Sequence, residues 1–353
     1  MSTPSPLLSR PGAVPVEDGS VPAHYGSPLR EQRELAEGAG LVDRSDRDVL
    51  VVPGADRLTW LHSLLTQHLE RLGDGTGAEA LELSPNGHVE HHLVLAELAG
   101  TTWVDVEPGT GADLQTYLER MRFMLRVEPA LVTDAWALLS LVGPRGDAVL
   151  ALDGGGWVRR MPPIGDGAPV VDLLVPRAEL AARADALLTA GAAPAGVDAY
   201  EALRVEARRP RLGVDTDHRT IPNETGWLTS AVHLAKGCYR GQETVARVHN
   251  LGRPPRRLVL LHLDGLAEQL PEAGTPVQLG SRDVGRVGSV VRHHELGVVA
   301  LALVKQSVAM DAELTVAGAR AAIDPDDAPA ALDDTVAAAR NRVQAVRSGT
   351  IPR

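Results

Sequence analysis

Cysteine is almost absent from this sequence, since Cys238 is the single one in 353 residues. One thiol excludes an intrachain disulfide framework, and we therefore expect a cytoplasmic protein in a reducing compartment. Aromatic residues are also scarce, at 3% with one phenylalanine, so the core must rest on leucine, valine and alanine. The hydrophobic content of 44% is still enough to bury a core, and the length suggests two or three domains.

Long apolar runs and a positive net charge are missing as well. No run approaches the ~18 apolar residues of a membrane-spanning helix, and the N-terminus has no apolar region of the signal-peptide type. The net charge of −11 repels polyanions. The basic stretch Arg208-Arg209-Pro210-Arg211 is too short to change that balance. We therefore expect no direct nucleic-acid binding and no membrane association.

Lysine is the third residue type that is scarce in this sequence, after cysteine and the aromatic residues. Lysine and arginine together number 35, but lysine occurs only at Lys236 and Lys305. A lysine side chain offers a titratable amine, which a guanidinium cannot supply. Lys236 lies two residues before Cys238, so two scarce and chemically distinctive side chains are neighbours. This coincidence marks residues 236–247 as a candidate site.

The order of apolar patterns predicts an α+β protein with a C-terminal barrel. Residues 1–28 are rich in Pro, Ser and Gly without periodicity, which indicates a loosely ordered lead-in. Paired strands then alternate with amphipathic helices, which favours α+β lobes over a doubly wound sheet. From residue 256, short β-type runs separated by glycine turns are typical of a small antiparallel barrel. The expected division is the lead-in at 1–28, a first lobe at 29–135 completed by about 198–250, a second lobe at 136–197, the barrel at 251–325 and a helix-prone tail at 326–353.

The candidate segment has the sequence K-G-C-Y-R-G-Q-E-T-V-A-R at residues 236–247. Its two glycines permit a bend and close approach to a ligand. Its three cations would favour the thiolate of Cys238. Gln242 and Glu243 offer polar partners for a heteroaromatic ring. The same composition also suits an ordinary glycine-bearing turn with a buried, inert cysteine.

This segment resembles, over its whole length, the signature K-G-C-[aromatic or Leu]-x-G-Q-E-x-x-[small]-[basic] of YgfZ-type proteins in the glycine-cleavage T-protein (aminomethyltransferase) superfamily. Arg204-Val205-Glu206 resembles the stretch that precedes the folate pocket, and Pro222 to Trp227 resembles the segment whose acidic residue binds the pterin. The resemblance covers about residues 30–325. It implies a three-lobed T-protein-like architecture with two mixed α+β lobes and a small C-terminal antiparallel β-barrel.

The resemblance also implies a tetrahydrofolate site in which Lys236 and Cys238 are the catalytic residues. The carboxylate of Glu224 would bind the N–C–N edge of the pterin, and Arg256 or Arg257 would pair with the anionic glutamate tail. No metal ligand belongs to this set. The implied folate-binding residues are Glu224, Trp227, Tyr200, Gly237, Tyr239, Gly241, Gln242, Glu243, Arg247 and Arg257.

The function implied by the resemblance is that of a folate-binding accessory protein. It would support the assembly or repair of iron–sulfur enzymes, with those client enzymes or assembly factors as partners, and would affect tRNA modification indirectly. One cysteine cannot hold a cluster that takes four ligands, so a partner would have to share it. A folate-dependent one-carbon transferase acting on a small methylated amine and a non-catalytic folate sensor remain as alternatives.

The sequence departs from the aminomethyltransferases at their catalytic aspartate pair, which is matched here by His91-His92. An imidazole cannot replace an ionised carboxylate that stabilises positive charge, so we expect glycine-cleavage activity to be lost. The histidines also suggest an alternative interpretation, a metal site. On a strand, His88, Glu90 and His92 share one face and could ligate Zn²⁺ or Fe²⁺.

Overall fold

The elements are described from a computed structural model over residues 4–152, 157–264 and 269–327, so the expected tail at 326–353 lies almost entirely outside the described residues. The helices are α1 Pro28–Glu37, α2 Arg57–Leu64, α3 Gly111–Arg120, α4 Gly146–Leu152, α5 Leu180–Thr189, α6 Val197–Glu206, α7 Trp227–Ser230 and α8 Gln242–Leu251. The strands are β1 Val14–Pro15, β2 Pro22–His24, β3 Gly40–Asp43, β4 Asp48–Pro53, β5 Gly77–Leu83, β6 Val89–Leu98, β7 Thr101–Val106, β8 Ala130–Leu131, β9 Trp136–Val142, β10 Val158–Ile164, β11 Ala168–Pro176, β12 Ala193–Ala195, β13 Arg256–Leu263, β14 Pro276–Leu279, β15 Arg282–His293, β16 Gly297–Lys305, β17 Leu314–Val316 and β18 Ala319–Ile323.

The lead-in is folded from residue 4 onward, which corrects the expectation that residues 1–28 are loosely ordered. Strands β1 and β2 pair with each other. Leu7 and Val21 are buried, and the Ser5 hydroxyl donates to the carboxylate of Asp43. Composition does not predict this ordered lead-in. A few isolated apolar residues that pack into an existing core are enough to hold a short segment in place.

The first sheet has the strand order β5-β6-β7-β4-β8, and all its pairs are antiparallel. Helices α2 and α3 contribute apolar side chains to its core. Leu114 and Leu118 lie four residues apart on α3, so they share one face of the helix and are both fully buried. Trp60 and Leu61 of α2 join the same core.

The second sheet has the order β10-β11-β9-β3-β12, in which β12 pairs in parallel with β3 and the other pairs are antiparallel. Its two faces have separate cores. Leu41 of β3 faces the core that contains α5, and Val42 faces the core that contains α1 and α6. Strand β3 therefore belongs to the second lobe, although we expected residues 29–135 in the first. The sequence of a short apolar strand does not show which strand it pairs with, because the partner can lie far away along the chain.

The C-terminal strands close into an antiparallel barrel of order β13-β16-β15-β14-β17-β18, with its own aliphatic core. The predicted fold class, two mixed α+β lobes with a small C-terminal barrel, is thus confirmed. Helix α6 connects the barrel to the second lobe, since Tyr200 and Leu203 pack in the second lobe and Val205 packs against Leu260 and Leu301 of the barrel. In the described part of the chain, no helix is long and apolar enough to cross a membrane.

Candidate functional site

A cavity of about 890 Å³ lies between the two sheets, within the size range of small-molecule sites. Its lining residues come from the lead-in, both sheets, α6 and the segment that follows α6. Apolar walls are provided by side chains such as Trp227, Tyr200 and Met161, while charged side chains surround them. We call this space the central cavity.

Buried ion pairs form one side of the central cavity and join the two sheets. Arg47 pairs with Asp105 and, at 2.8 Å, with Glu107. Arg159 of β10 pairs with Asp105 of β7 at 2.6 Å and with Asp172 of β11 at 2.7 Å. Burial opposes ionisation of Asp105, but Arg159 and Arg47 outweigh it and lower the pKa of Asp105 to about 2. Asp105 is therefore charged at neutral pH.

A second charged cluster extends from α6. Arg204 pairs with Glu201 at 2.8 Å and with Asp215 at 3.0 Å, and Arg211 reaches both Glu201 at 3.3 Å and Glu107 at 3.1 Å. Although burial raises the pKa of Glu201, Arg204 and Arg211 lower it to about 2. These contacts fix the position of α6 and of the segment after it, so the wall of the cavity is held by charge as well as by packing.

The pKa of one cavity-lining carboxyl, that of Asp46, is shifted in the opposite direction. Burial raises the pKa of Asp46, against the lowering effect of Arg44 and Arg47. The guanidinium of Arg44 lies 4.3 Å from the ring centroid of Tyr200 and donates to its hydroxyl at 2.9 Å. Arg44 and Tyr200 therefore combine a cation and an aromatic face at the same place in the wall.

His92 and Glu79 form a third feature of the wall. The Nε2 atom of His92 lies 3.0 Å from Glu79 Oε2, and the imidazole stacks on Trp227 with a centroid distance of 4.9 Å and an angle of 27°. Ser230 donates to Glu79 at 3.2 Å and Arg209 at 2.6 Å. Burial raises the pKa of Glu79, but His92, Arg209 and Ser230 outweigh it and lower the pKa to about 2. His92 is thus held in place by an ionised carboxylate.

Two of the residues that the sequence assigned to the site, Tyr200 and Trp227, line the central cavity. Glu224, which was expected to bind the pterin, is not among the lining residues. Its side chain is 1% exposed, and both oxygens accept hydrogen bonds from Arg256 at 2.8 Å. Arg256 also pairs with Asp217 at 2.6 Å. The carboxylate edge that would bind a pterin is therefore occupied by Arg256.

Lys236, which was expected to be catalytic, makes hydrogen bonds within the protein. Its ammonium donates to the carbonyl oxygens of His62 and Leu65 and, at 3.2 Å, to that of Gln67. These carbonyls lie at and just beyond the end of α2, where a cation is favourable. Burial lowers the pKa of Lys236 to about 8.

Cys238 is exposed, and neither it nor its neighbour Gly237 lines the central cavity. Of the two glycines expected to permit a bend, Gly241 has a positive φ of +79°. A Cβ on Gly241 would lie 2.7 Å from the carbonyl oxygen of Ser84 and 2.8 Å from the Cα of Gly87, so this glycine is needed for close packing against a hairpin.

The remaining assigned residues also lie outside the cavity lining. Tyr239 is buried in the same apolar cluster as Trp227. Gln242 donates to the carbonyl oxygen of Lys236 at 3.4 Å, and Glu243 and Arg247 are exposed on α8. Arg257 donates to the carbonyl oxygens of barrel residues Gln306 at 2.9 Å and Val308 at 2.8 Å.

The Glu224 segment and residues Lys236–Cys238 are neighbours, but Glu224, Lys236 and Cys238 do not line the central cavity. Asn223 donates to the carbonyl oxygen of Val245 at 3.2 Å, and an apolar cluster that includes Trp227, Tyr239 and Val245 fills the region. The segment of residues 236–247 therefore packs behind the cavity wall, with Trp227 between the two.

The metal site suggested by His88, Glu90 and His92 is not formed, because His92 Nε2 is bonded to Glu79 and Glu90 is exposed. A different group, His62, His68 and Glu70, brings possible ligand atoms within 4.8 Å of one another. His62 Nδ1, however, accepts from the Leu69 amide at 3.2 Å, which places the proton of neutral His62 on Nε2. Metal ligation would require that arrangement to be lost.

Comparison with known proteins supports the architecture. A model of the GCVT N-terminal domain matches residues 13–152, and a model of the CAF17 C-terminal beta-barrel domain matches residues 256–330. The aminomethyltransferase of Rubrobacter xylanophilus is 30% identical over 297 residues, covering 78% of each chain. A putative chloroplastic transferase of Arabidopsis thaliana, At1g60990, is 26% identical over 274 residues, covering 71% of this chain and 62% of its own.

Among solved structures, the glycine cleavage system aminomethyltransferase T from Bartonella henselae superposes with a TM-score of 0.78 at 21% identity, covering 90% of this chain and 94% of that one. The structure thus defines a three-lobed α+β protein with a central cavity. The chain belongs to the T-protein superfamily, with an N-terminal part of the GCVT type and a barrel of the CAF17 type.

Proposed function

We propose that the chain binds a reduced folate in its central cavity and acts as an accessory protein for the assembly or repair of iron–sulfur enzymes. The observation that carries the folate part is the central cavity itself, an 890 Å³ space with aromatic walls and ionised carboxylates in a member of the T-protein superfamily. Tetrahydrofolate would supply a carrier for a one-carbon unit at this site.

The lining residues suit the three parts of a folate. Tyr200 and Trp227 offer apolar faces to flat rings. Arg44 offers a cation to an anionic tail. Arg159 lines the same wall, where it is paired with Asp105 and Asp172.

The accessory role rests on two further features. His91 and His92 stand where the aminomethyltransferases have their aspartate pair, which argues against glycine cleavage. Cys238 is exposed on the outer side of the wall, where a client protein can reach it. Any cluster would take its other ligands from that client, and an effect on tRNA modification would follow through client enzymes.

Titration calorimetry with tetrahydrofolate tests the folate part. The native chain should bind, and Tyr200→Leu, which removes the aromatic face but keeps apolar volume, should weaken binding by ~0.5–1.5 kcal/mol. Cys238→Ala is the matched control and should bind as the native chain does. If no binding heat is seen, or Tyr200→Leu binds as well as the native chain, the central cavity is not the folate site.

The accessory part is tested in cells. Cys238→Ala should lower the activity of iron–sulfur enzymes while leaving tetrahydrofolate affinity unchanged. Unimpaired enzymes would instead favour a folate sensor. Turnover of a methylated amine with formation of 5,10-methylene-tetrahydrofolate by the purified chain would favour the transferase alternative.

A further inference from the structure

Exposed apolar side chains lie together at one edge of the first sheet. The loop of residues 121–126, which follows α3 and which we call the apolar loop, carries Phe123 at 80% exposure and Met124 at 99%. Leu125 of the same loop and Leu131 of the edge strand β8 are exposed as well. Single exposed apolar residues are common on monomers, but a group of them marks a contact surface.

The apolar loop is held in place at both ends. The indole of Trp60 donates to the carbonyl oxygen of Met121 at 2.9 Å. At the other end, Asp56 accepts from the amide of Arg126 at 2.9 Å and from its guanidinium at 3.0 Å. Between these anchors, Phe123 has a φ of +47°, a conformation that bulky residues seldom adopt. The exposed tip is therefore presented by a fixed backbone.

A groove of about 570 Å³ adjoins the apolar loop, and we call it the edge groove. Its apolar lining comes from β4 and from the segment that leads into β8, and consists of Val51, Pro53, Pro129 and Ala130. Arg122 of the apolar loop lines it too, so the loop and the groove share one face of the lobe. The volume is that of a small ligand pocket, which is enough to receive protruding side chains.

Charges of both signs border the edge groove. Arg122 and Glu128 line it and are exposed, and neither makes an ion pair with another residue that the structure describes. Glu119 lines it as well and accepts from Gln115 at 2.8 Å. The two surfaces of a two-fold dimer are identical, so such an interface has to be complementary to itself. A surface with a protruding apolar tip, an apolar groove and unpaired charges of both signs meets this requirement.

We propose that two copies of the chain associate about a two-fold axis at this edge, with Phe123 and Met124 of each copy inserted in the edge groove of the other. Arg122 of one copy then faces Glu128 of the other, and the symmetry repeats this contact. Apolar burial drives the association, and the charge pairs fix its orientation. Each copy contributes few side chains, so the dimer is weak and reversible.

The inference is independent of the proposed folate site. None of the described lining residues of the central cavity belongs to the apolar loop or to the edge groove. An anionic membrane surface fits this edge less well than a second copy does, because it would repel Glu119 and Glu128.

Sedimentation of the full chain tests the proposal. Between ~1 and ~200 µM, the range in which a weak dimer forms, the average mass should rise toward twice that of one chain. Met124→Glu places a charge at the apolar centre of the interface and should lower the association constant ~10-fold or more. Leu29→Glu is the matched control, since Leu29 is an exposed leucine of α1 outside the edge groove. It should associate as the native chain does.

A charge exchange gives a second test that does not depend on apolar substitutions. Arg122→Glu alone and Glu128→Arg alone should each weaken self-association, because each brings like charges together in its own dimer. A mixture of these two variants should form dimers again, since both contacts then join a glutamate to an arginine. A damaged fold would not be restored by mixing.

The outcomes decide the proposal. A native chain that stays monomeric over the whole range overturns it. Equal losses in Met124→Glu and Leu29→Glu, or no recovery in the mixture, overturn it as well. A monomer that sediments with phosphatidylcholine–phosphatidylserine vesicles, and loses this binding in Met124→Glu, would assign the apolar loop to a membrane surface instead.

Discussion

At the scale of single residues, Glu224 shows how an acidic side chain, in a segment that resembles a ligand-binding one, can stabilise the fold. Its carboxylate accepts from two nitrogens of Arg256, which also pairs with Asp217. Lys236 likewise satisfies three carbonyl oxygens around the end of α2. A charge that is buried with its partners already in place has little to offer a ligand, because binding would have to break the existing pairs.

Glu224→Gln should therefore destabilise the protein and leave folate binding intact. Loss of the charge weakens two hydrogen bonds with Arg256, so we expect the free energy of unfolding to fall by ~1.5–3 kcal/mol. Urea unfolding measures this change, and calorimetry with tetrahydrofolate measures the affinity. Glu243→Gln, which alters an exposed carboxylate of α8, is the control and should change neither. Weaker folate binding at unchanged stability would return Glu224 to the pocket.

Residue types in the sequence indicated part of the candidate site. Tyr200 and Trp227 were named in advance, and both line the cavity. Glu79, Asp105 and Arg47 were missed, although a signal existed, since charged residues interrupt apolar strands at Glu79 and Asp105. Such a residue needs a buried partner, but the partner lies far along the chain, so the pairing could not be worked out from local pattern.

At the scale of elements, local periodicity predicted several amphipathic helices and the barrel strands, but not α1 or α8, and sheet membership was not predictable. Strand β3 is buried on both faces and lies in the second sheet, away from the β4 that follows it. The same limit applies to the ion pairs that join β7 of one sheet to β10 of the other, through Asp105 and Arg159. These contacts exist only once the sheets have been assembled.

The link between β7 and β10 predicts a loss of stability in acid. Asp105 has a pKa of about 2 in the folded protein and an ordinary value near 3.8 when unfolded, so the unfolded state binds its proton first as pH falls. Its contribution, about 2 kcal/mol, should be complete above about pH 4 and lost as pH falls through 2.

The measurement is the free energy of urea unfolding at pH 6 and at pH 3. Asp105→Asn should be less stable at pH 6, because Arg47 and Arg159 lose their shared partner. The same variant should show a smaller decrease between the two pH values than the native chain. Equal decreases in both proteins would show that Asp105 is not a source of the acid sensitivity.

At the scale of the whole molecule, the barrel is attached to the lobes by close backbone packing and by Arg204. Arg204 donates to Ser289 of β15, and the Ser289 amide donates to Asp215 at 2.7 Å. Between these contacts lies Gly288, where a Cβ would lie 2.6 Å from the Cα of Asp215. The docking therefore depends on the absence of a side chain at this position.

Gly288→Ala should separate the barrel from the lobes or strain the contact. Overpacking of this kind costs ~1–3 kcal/mol, which thermal or urea unfolding will show as a lower midpoint. Gly73→Ala is the control, since its Cβ would meet nothing closer than 3.7 Å and its φ is not in the left-handed region. Wild-type stability in Gly288→Ala would mean that the barrel docks through side-chain contacts alone.

Trp227 stands between the interior and the surface of the protein. Trp227 lines the central cavity and also belongs to the apolar cluster that contains Tyr239, the residue next to the exposed Cys238. One apolar cluster therefore extends from the wall of the central cavity to the residue beside Cys238. A substitution in that cluster alters the support of the cavity wall and of the Cys238 loop together.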